Sequence, residues 1–284
     1  MLRPEERGRR GRRNFLMTHL KRWLTSIVAI PILIFIIGPG PKWLFYLFVS
    51  LASLLAFDEF LRIVSPGLPW VVRIISYCIS LALVYFVSKG SCSLLPGLLP
   101  LGTMLILCLY LFSNASERPR STEQTGKIAF GMLYICLPLC LLIALKEIPN
   151  GSAWIFFVLA VVFSGDTGAF YGGRFFGRHK LYPSISPGKT WEGSVGGFLA
   201  SLLAALPFFL FTHLSESVLP LIGLAACLSI AGQVGDLAES MVKRVHGVKD
   251  SGNTLPGHGG ILDRIDGLLF AIPVLYVFLT WGIF

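Results

Sequence analysis

Long apolar stretches alternate with short polar ones along almost the whole chain. We count nine such stretches, each close to the roughly 20 apolar residues that an α-helix needs to cross a bilayer. Their approximate limits are 23–38, 43–63, 69–88, 94–113, 128–146, 152–172, 195–214, 217–235 and 261–284. This pattern predicts an all-α polytopic membrane protein with about nine transmembrane helices.

The polar stretches divide the chain into three parts. Residues 1–22 form a basic polar arm, and residues 23–150 contain little besides apolar helices. Residues 151–284 combine apolar helices with two long loops, 173–194 and 235–264, in which glycine and charged residues gather. We therefore expect 151–284 to be the catalytic region.

The distribution of basic residues predicts the orientation in the membrane. Lysine and arginine collect in the cytoplasmic segments of membrane proteins. With nine crossings and a cytoplasmic N-terminus, the cytoplasmic segments contain 21 of the 24 basic residues, and only Lys42, Lys89 and Lys146 lie outside. Both polar loops of the C-terminal region then face the cytoplasm.

The overall composition agrees with a membrane protein. Only 14% of the residues are charged and 54% are hydrophobic, whereas soluble domains carry about 25% charged residues. The net charge of +9 follows the predicted topology. We therefore expect no nucleic-acid partner.

Carboxylates gather at the predicted cytoplasmic helix ends. Nine acidic residues lie there: Asp58, Glu59, Asp166, Glu192, Asp236, Glu239, Asp250, Asp263 and Asp266. Ionisable groups at or near the hydrocarbon region indicate function. Mg²⁺ uses one or two carboxylates and completes its shell with phosphate oxygens and water. The mixture of carboxylates and basic residues is therefore typical of a site for Mg²⁺ and phosphates.

The spacing around the second loop sharpens this prediction. Asp236, Glu239, Ser240 and Lys243 share one face if their helix continues that far. Asp263 and Asp266 begin the last helix after the run His258-Gly259-Gly260, and a helix N-terminus behind glycines favours anions. The alternative is that both aspartates merely favour a helix N-terminus.

The first loop adds a second set of charges. Asp166 ends an apolar helix and is followed by Arg174, Arg178, Lys180 and Lys189. The run Ser186–Thr190 lacks the spacing of a P-loop, but Lys189 and backbone amides there are suited to phosphate. Two roles stay open for Asp166, either as a metal ligand or as a group that orients a lysine.

The segment from Ser240 to Asp266, SMVKRVHGVKDSGNTLPGHGGILDRID, resembles the signature of phosphatidate cytidylyltransferases (CDP-diacylglycerol synthases). Residues 166–171 and 184–193 resemble the same family, so the specific resemblance covers about 164–267. It implies that CTP and phosphatidic acid are the substrates and that CDP-diacylglycerol and pyrophosphate are the products. It also implies Mg²⁺, with two ions as the expected number, and a site at the cytoplasmic face of a bacterial inner membrane.

The resemblance also assigns roles to individual residues. Asp236 and Asp263 are the first choices as metal ligands, with Asp250 and Asp266 as second choices. The groups expected to contact the substrates or neutralise their phosphates are Asp166, Lys189, Ser240, Lys243, Arg244, Lys249, His258, Gly259, Gly260 and Arg264. The sequence leaves a homodimer open.

Two alternatives belong to other classes. A transporter would explain many helices, but it needs polar groups at mid-membrane depth, and the outer halves of these helices offer almost none. Another membrane lipid phosphotransferase, such as a CTP-dependent lipid kinase, would use similar charges. The signature segment favours the cytidylyltransferase over both.

Overall fold

The computed structural model describes residues 30–112, 118–212, 214–252, 254 and 259–282, and most of them are helical. The long helices are α1 (Lys42–Val64), α2 (Trp70–Ser88), α3 (Leu95–Leu111), α4 (Ser121–Glu147), α5 (Gly151–Phe176), α6 (Trp191–Thr212), α7 (Val218–Val245) and α8 (Leu262–Thr280). Short 3-10 turns at Cys92–Leu94 and Arg118–Arg120 precede α3 and α4. Residues 30–37, ahead of α1, are also helical.

Seven helices of the described part of the chain are long and apolar enough to span a membrane. They are α1 to α7, with α3 counted together with the preceding turn. Helix α8 differs because any 18 of its 19 residues include the charged residues Asp263, Arg264 and Asp266. The arm 1–22 lies outside the described residues, as does the start of the first predicted segment, so the total of nine stays a prediction.

Helix α4 lies at the centre of the bundle and α6 lies at its edge. In the most apolar window, 72% of the residues of α4 are buried, against 17% for α6. Halfway along α4 the backbone widens into a π-helical turn at Met132–Cys136. Pro138 follows directly and has no N–H for the carbonyl of Tyr134, which accounts for the local change in hydrogen bonding.

Small residues let α5 and α6 approach closely. A Cβ atom added to Gly168 would lie 2.5 Å from Ala200 Cβ, and one added to Gly197 would lie 2.7 Å from the carbonyl oxygen of Gly165. Interfaces between membrane helices are enriched in small residues for this reason. The contact fixes the part of α5 that carries Asp166. This residue lies about three turns before the end of the helix at Phe176 and does not end it as predicted.

The two predicted polar loops are shorter than expected because the helices extend into them. Helix α7 continues to Val245, which confirms the predicted helical continuation through Asp236 and Lys243. Helix α5 continues to Phe176, and strands β1 (Lys180–Tyr182) and β2 (Ser186–Thr190) form an antiparallel hairpin before α6. This hairpin is a departure from the predicted all-α fold.

Candidate active site

Lys243 lies near the end of α7 between two carboxylates. Its Nζ is 2.6 Å from Asp263 Oδ1, and it forms an ion pair with Glu239 one turn earlier. Glu239 is only 1% exposed and Lys243 8%. Among the described residues, none donates a hydrogen bond of good geometry to the Glu239 oxygens. The Lys243 ammonium nevertheless lies within ion-pair range, and Coulomb attraction does not require the alignment that a hydrogen bond needs. Removing one member would leave a buried charge uncompensated.

Asp263 connects this ion cluster to the loop that precedes α8. Its Oδ2 accepts hydrogen bonds from the backbone N–H groups of Ser251 and Gly260, at 3.0 and 3.1 Å. Its Oδ1 accepts one from Lys243 at 2.6 Å. Both oxygens of this predicted metal ligand therefore have protein donors, and Asp263 also holds the loop in place.

Glu59, on α1, is a residue of the site that the sequence-based assignment did not include. Glu59 is 4% exposed. Its carboxylate accepts four hydrogen bonds from the segment between α7 and the start of α8, including those from the backbone N–H groups of Ile261 and Leu262 at 3.0 and 2.9 Å. Glu59 was noted only as one carboxylate among several at a cytoplasmic helix end. Its partners lie about 200 positions away, so local spacing could not identify it.

A cavity of about 440 Å³ lies between α5, the hairpin, α6 and α7. Lys189 on β2 and Asp236 on α7 form an ion pair of 2.6 Å across it. Asp166 and Arg174 on α5 also line the cavity. The predicted charges of the first loop are thus brought together with Asp236 of the second.

Carboxylate charge is concentrated around Asp236. The charge of Asp236 acts on both Asp166 and Asp266, so the three carboxylates influence one another electrostatically. Asp266 accepts a hydrogen bond from the N–H of Gly267 at 2.8 Å, and the described part of the chain offers Asp166 no donor. Lys189 offsets only part of this negative charge. The pocket therefore has an excess of negative charge on this side.

The described residues do not converge into a complete metal cage. No group of three histidine, cysteine, aspartate or glutamate side chains among them lies close enough to hold a metal ion. Mg²⁺ rarely uses such a cage, because it keeps several waters and takes phosphate oxygens from the substrate. The residues therefore fit Mg²⁺ brought with a nucleotide better than a structural metal such as zinc.

Other predicted site residues lie around this centre. Arg244 is exposed and donates to the carbonyl oxygens of Ile185 and Val248, both at 3.2 Å, so it ties the hairpin to the loop after α7. The remaining ones are Lys249, Asp250 and Arg264, which are exposed, and Ser240, which is half-buried. His258 lies outside the described residues.

Gly259 and Gly260 allow the loop to turn tightly before α8. Gly259 has a φ of 81°, which is a left-handed conformation that favours glycine. A Cβ added to Gly260 would lie 1.9 Å from Ser251 Oγ. The predicted substrate role of both glycines stays a prediction, whereas their tight packing is a feature of the fold.

Fold and site together define a polytopic membrane protein with a pocket lined by acidic and basic side chains. The family model described as "Cytidylyltransferase family" matches residues 20–281. The chain belongs to this family, and it is therefore a nucleotidyltransferase.

Several bacterial proteins are similar in sequence to this chain. The phosphatidate cytidylyltransferase of Bacillus subtilis (strain 168) is 32% identical over 266 residues, which cover 92% of this chain and 97% of that protein. The phosphatidate cytidylyltransferase of Staphylococcus haemolyticus (strain JCSC1435) is 35% identical over 260 residues, covering 91% and 98%. That of Staphylococcus aureus (strain COL) is 47% identical over 130 residues, covering 46% and 50%.

Proposed function

We propose that this chain transfers the cytidylyl group of CTP to phosphatidic acid, giving CDP-diacylglycerol and pyrophosphate for phospholipid synthesis. The observation that carries the proposal is the joining of two separate charged segments in one pocket, through the 2.6 Å ion pair of Lys189 and Asp236. The family and the names of the similar proteins support the same reaction.

The reaction requires positioning and charge neutralisation more than a strong base. An oxygen of the lipid phosphate attacks the α-phosphorus of CTP, and the bond from that phosphorus to the pyrophosphate oxygen breaks. The attacking oxygen is already anionic, so the barrier comes mainly from charge repulsion and from alignment. Lys189, Lys243 and the nearby arginines lower the repulsion between two anionic substrates.

We propose Asp236 and Asp263 as the residues that hold Mg²⁺. Bound there, the ion would neutralise phosphate charge and help to orient the nucleotide. Asp236 is the stronger candidate, because its ion-pair partner is a single lysine, Lys189, and the charges of Asp166 and Asp266 add to the negative charge there. At Asp263, Lys243 would have to give up its position for a metal ion, since both carboxylate oxygens are engaged.

The proposed site lies at the cytoplasmic membrane surface of a protein with about nine crossings. Two observations support this topology. Lys42 and Glu147, both predicted to lie outside, form an ion pair of 2.6 Å. Glu59 and the loop before α8, both predicted to lie inside, are hydrogen-bonded. Phosphatidic acid would present its phosphate at this surface, and CTP would arrive from the cytosol.

An assay with CTP labelled at different phosphates tests the function and its alternative. Purified protein in detergent is given phosphatidic acid, Mg²⁺ and CTP labelled at the α- or the γ-phosphate, with controls lacking lipid or containing EDTA. We expect label in the lipid product from α-labelled CTP only, and no product with EDTA. Lipid label from γ-labelled CTP alone would instead identify a CTP-dependent lipid kinase.

A further inference from the structure

Glu59 of α1 binds the loop that carries Asp263, although it lies in the N-terminal half of the chain. Its Oε2 accepts hydrogen bonds from Ser251 Oγ and from the N–H of Leu262, both at 2.9 Å. Its Oε1 accepts one from the N–H of Ile261 at 3.0 Å and another from Thr254 Oγ1. One buried carboxylate thus receives four donors from both ends of the loop.

Two glycines of the segment before α8 pack tightly against this carboxylate. A Cβ added to Gly252 would lie 2.9 Å from Glu59 Oε1, and one added to Gly260 would lie 2.5 Å from Glu59 Oε2. Ile261 and Leu262 lie at the start of α8, where N–H groups lack helical partners and the helix dipole favours a negative charge. The carboxylate therefore satisfies groups that would otherwise be buried without partners.

The contacts of Glu59 continue directly to the proposed site. Ser251, which donates to Glu59, also donates its N–H to Asp263 Oδ2 at 3.0 Å. Gly260, next to Ile261, donates to the same oxygen at 3.1 Å. Asp263 in turn holds Lys243 at 2.6 Å. Glu59 fixes the loop, and the loop fixes the aspartate and the lysine.

We propose that Glu59 is a positioning residue for the transfer reaction. It acts on Asp263 and Lys243 through Ser251, Gly260 and Ile261. It touches neither substrate in this role. A misplacement of about 1 Å in an active site can reduce the rate about a hundredfold. The N-terminal helices would then contribute to catalysis indirectly, by supporting the active-site residues of the C-terminal region. The catalytic part of this inference rests on the proposed function.

The test compares Glu59→Gln and Glu59→Asp with the control Asp58→Asn. Asp58 is the neighbouring carboxylate of α1, but it pairs with Arg62 at 2.7 Å and accepts from Tyr77 instead of from the loop. In Glu59→Gln the side-chain N–H₂ group, itself a donor, would face hydrogen-bond donors of the loop. In Glu59→Asp the shorter side chain would not reach all four donors that Glu59 contacts. Three quantities are measured for each variant in detergent: kcat and KM for CTP, the melting temperature, and backbone hydrogen exchange.

For Glu59→Gln we expect kcat to fall about ten- to a hundredfold. The change in KM for CTP should be smaller, because none of the residues that line the Lys189 cavity belongs to the segment that Glu59 holds. Hydrogen exchange should become faster in peptides covering Ser251, Ile261 and Leu262 and stay unchanged in α5 and α6. Glu59→Asp should be intermediate, and Asp58→Asn should resemble the wild type in kcat and in exchange of the loop. A kcat within about threefold of the wild type, or a loss accompanied by faster exchange in all helices, would overturn the proposal.

Thr254→Val provides a second variant if Glu59→Gln does not fold. Thr254 is exposed and gives Glu59 one of its four hydrogen bonds. The variant removes one of four donors and leaves the carboxylate in place, so we expect a several-fold fall in kcat and faster exchange in peptides covering Ser251, Ile261 and Leu262. An unchanged kcat and unchanged exchange of the loop would contradict the role of Glu59. Because the exchange measurement needs no substrate, it remains informative if the chain catalyses another transfer.

Discussion

Lys189 and Asp236 form an ion pair of 2.6 Å that joins the β-hairpin to the end of α7. The two residues are 47 positions apart in the sequence and belong to different polar loops in the sequence-based division. Both side chains are about one-third exposed or less, at 27% and 34%, so each remains accessible from the cavity. If the proposed Mg²⁺ binds Asp236, it would replace Lys189 as the partner of this carboxylate, and the lysine would be free to bind a phosphate of the substrate.

Replacing Lys189 with alanine should weaken the use of CTP. The variant loses a positive charge that faces the cavity, and it leaves Asp236 without its ion-pair partner. We expect KM for CTP to rise about tenfold or more, which corresponds to about 1.4 kcal/mol, with a smaller change in kcat. The measurement is steady-state kinetics with CTP varied at saturating phosphatidic acid. Lys180→Ala is the control, because Lys180 is exposed on the same hairpin. An equal effect of both variants would indicate a general loss of basic charge.

Asn substitutions of Asp236 and Asp263 should distinguish a role in turnover from a role in holding the loop before α8. Both variants should lose at least about a hundredfold in kcat, since each removes a charge worth several kcal/mol to a metal-phosphate site. Only Asp263→Asn should also loosen the loop, because Asp263 accepts from Ser251 and Gly260. Turnover and backbone hydrogen exchange measure the two effects.

The control for these aspartates is Glu123→Gln. Glu123 is an exposed carboxylate that pairs with Lys127 on α4 at 2.6 Å. This variant should retain wild-type turnover. Near-normal turnover of Asp236→Asn at saturating Mg²⁺ would contradict the assignment of Asp236 as a metal ligand.

The sequence predicted correctly those features that depend only on a local pattern of residues. Apolar length identified seven observed spans, and the spacing of Asp236 and Lys243 identified a helical face that the structure contains. The hairpin was missed because proline and glycine in residues 183–188 indicate a loop and do not distinguish a hairpin from an irregular turn. Glu59 was missed because its importance depends on a contact between distant parts of the chain.

The predicted sidedness can be tested at two loops with opposite predictions. Lys89 is predicted to lie outside and Arg120 inside, and both are at polar ends of helices. In a variant without the native cysteines, Lys89→Cys should react with a membrane-impermeant maleimide in intact spheroplasts. Arg120→Cys should react only after the membrane is permeabilised. The reverse labelling pattern would show that the orientation in the membrane is opposite to the predicted one. Labelling of both cysteines from outside would contradict the predicted membrane crossing between the two positions.

Gly168→Ala should destabilise the contact between α5 and α6. The added Cβ would lie 2.5 Å from Ala200 Cβ and 2.7 Å from the carbonyl oxygen of Gly196, and neither backbone can move away easily. Overpacking of this kind costs about 1–3 kcal/mol, so we expect a lower melting temperature in detergent. Asp166 lies half a turn away on α5, so kcat should fall as well.

The control for this contact is Gly223→Ala on α7. A Cβ there meets nothing within 4 Å, and alanine is about 1 kcal/mol better than glycine within a helix. This variant should melt at the wild-type temperature or slightly above it. If Gly168→Ala were as stable as Gly223→Ala, the close approach of α5 and α6 would not be needed, and the position of Asp166 would have to depend on another contact.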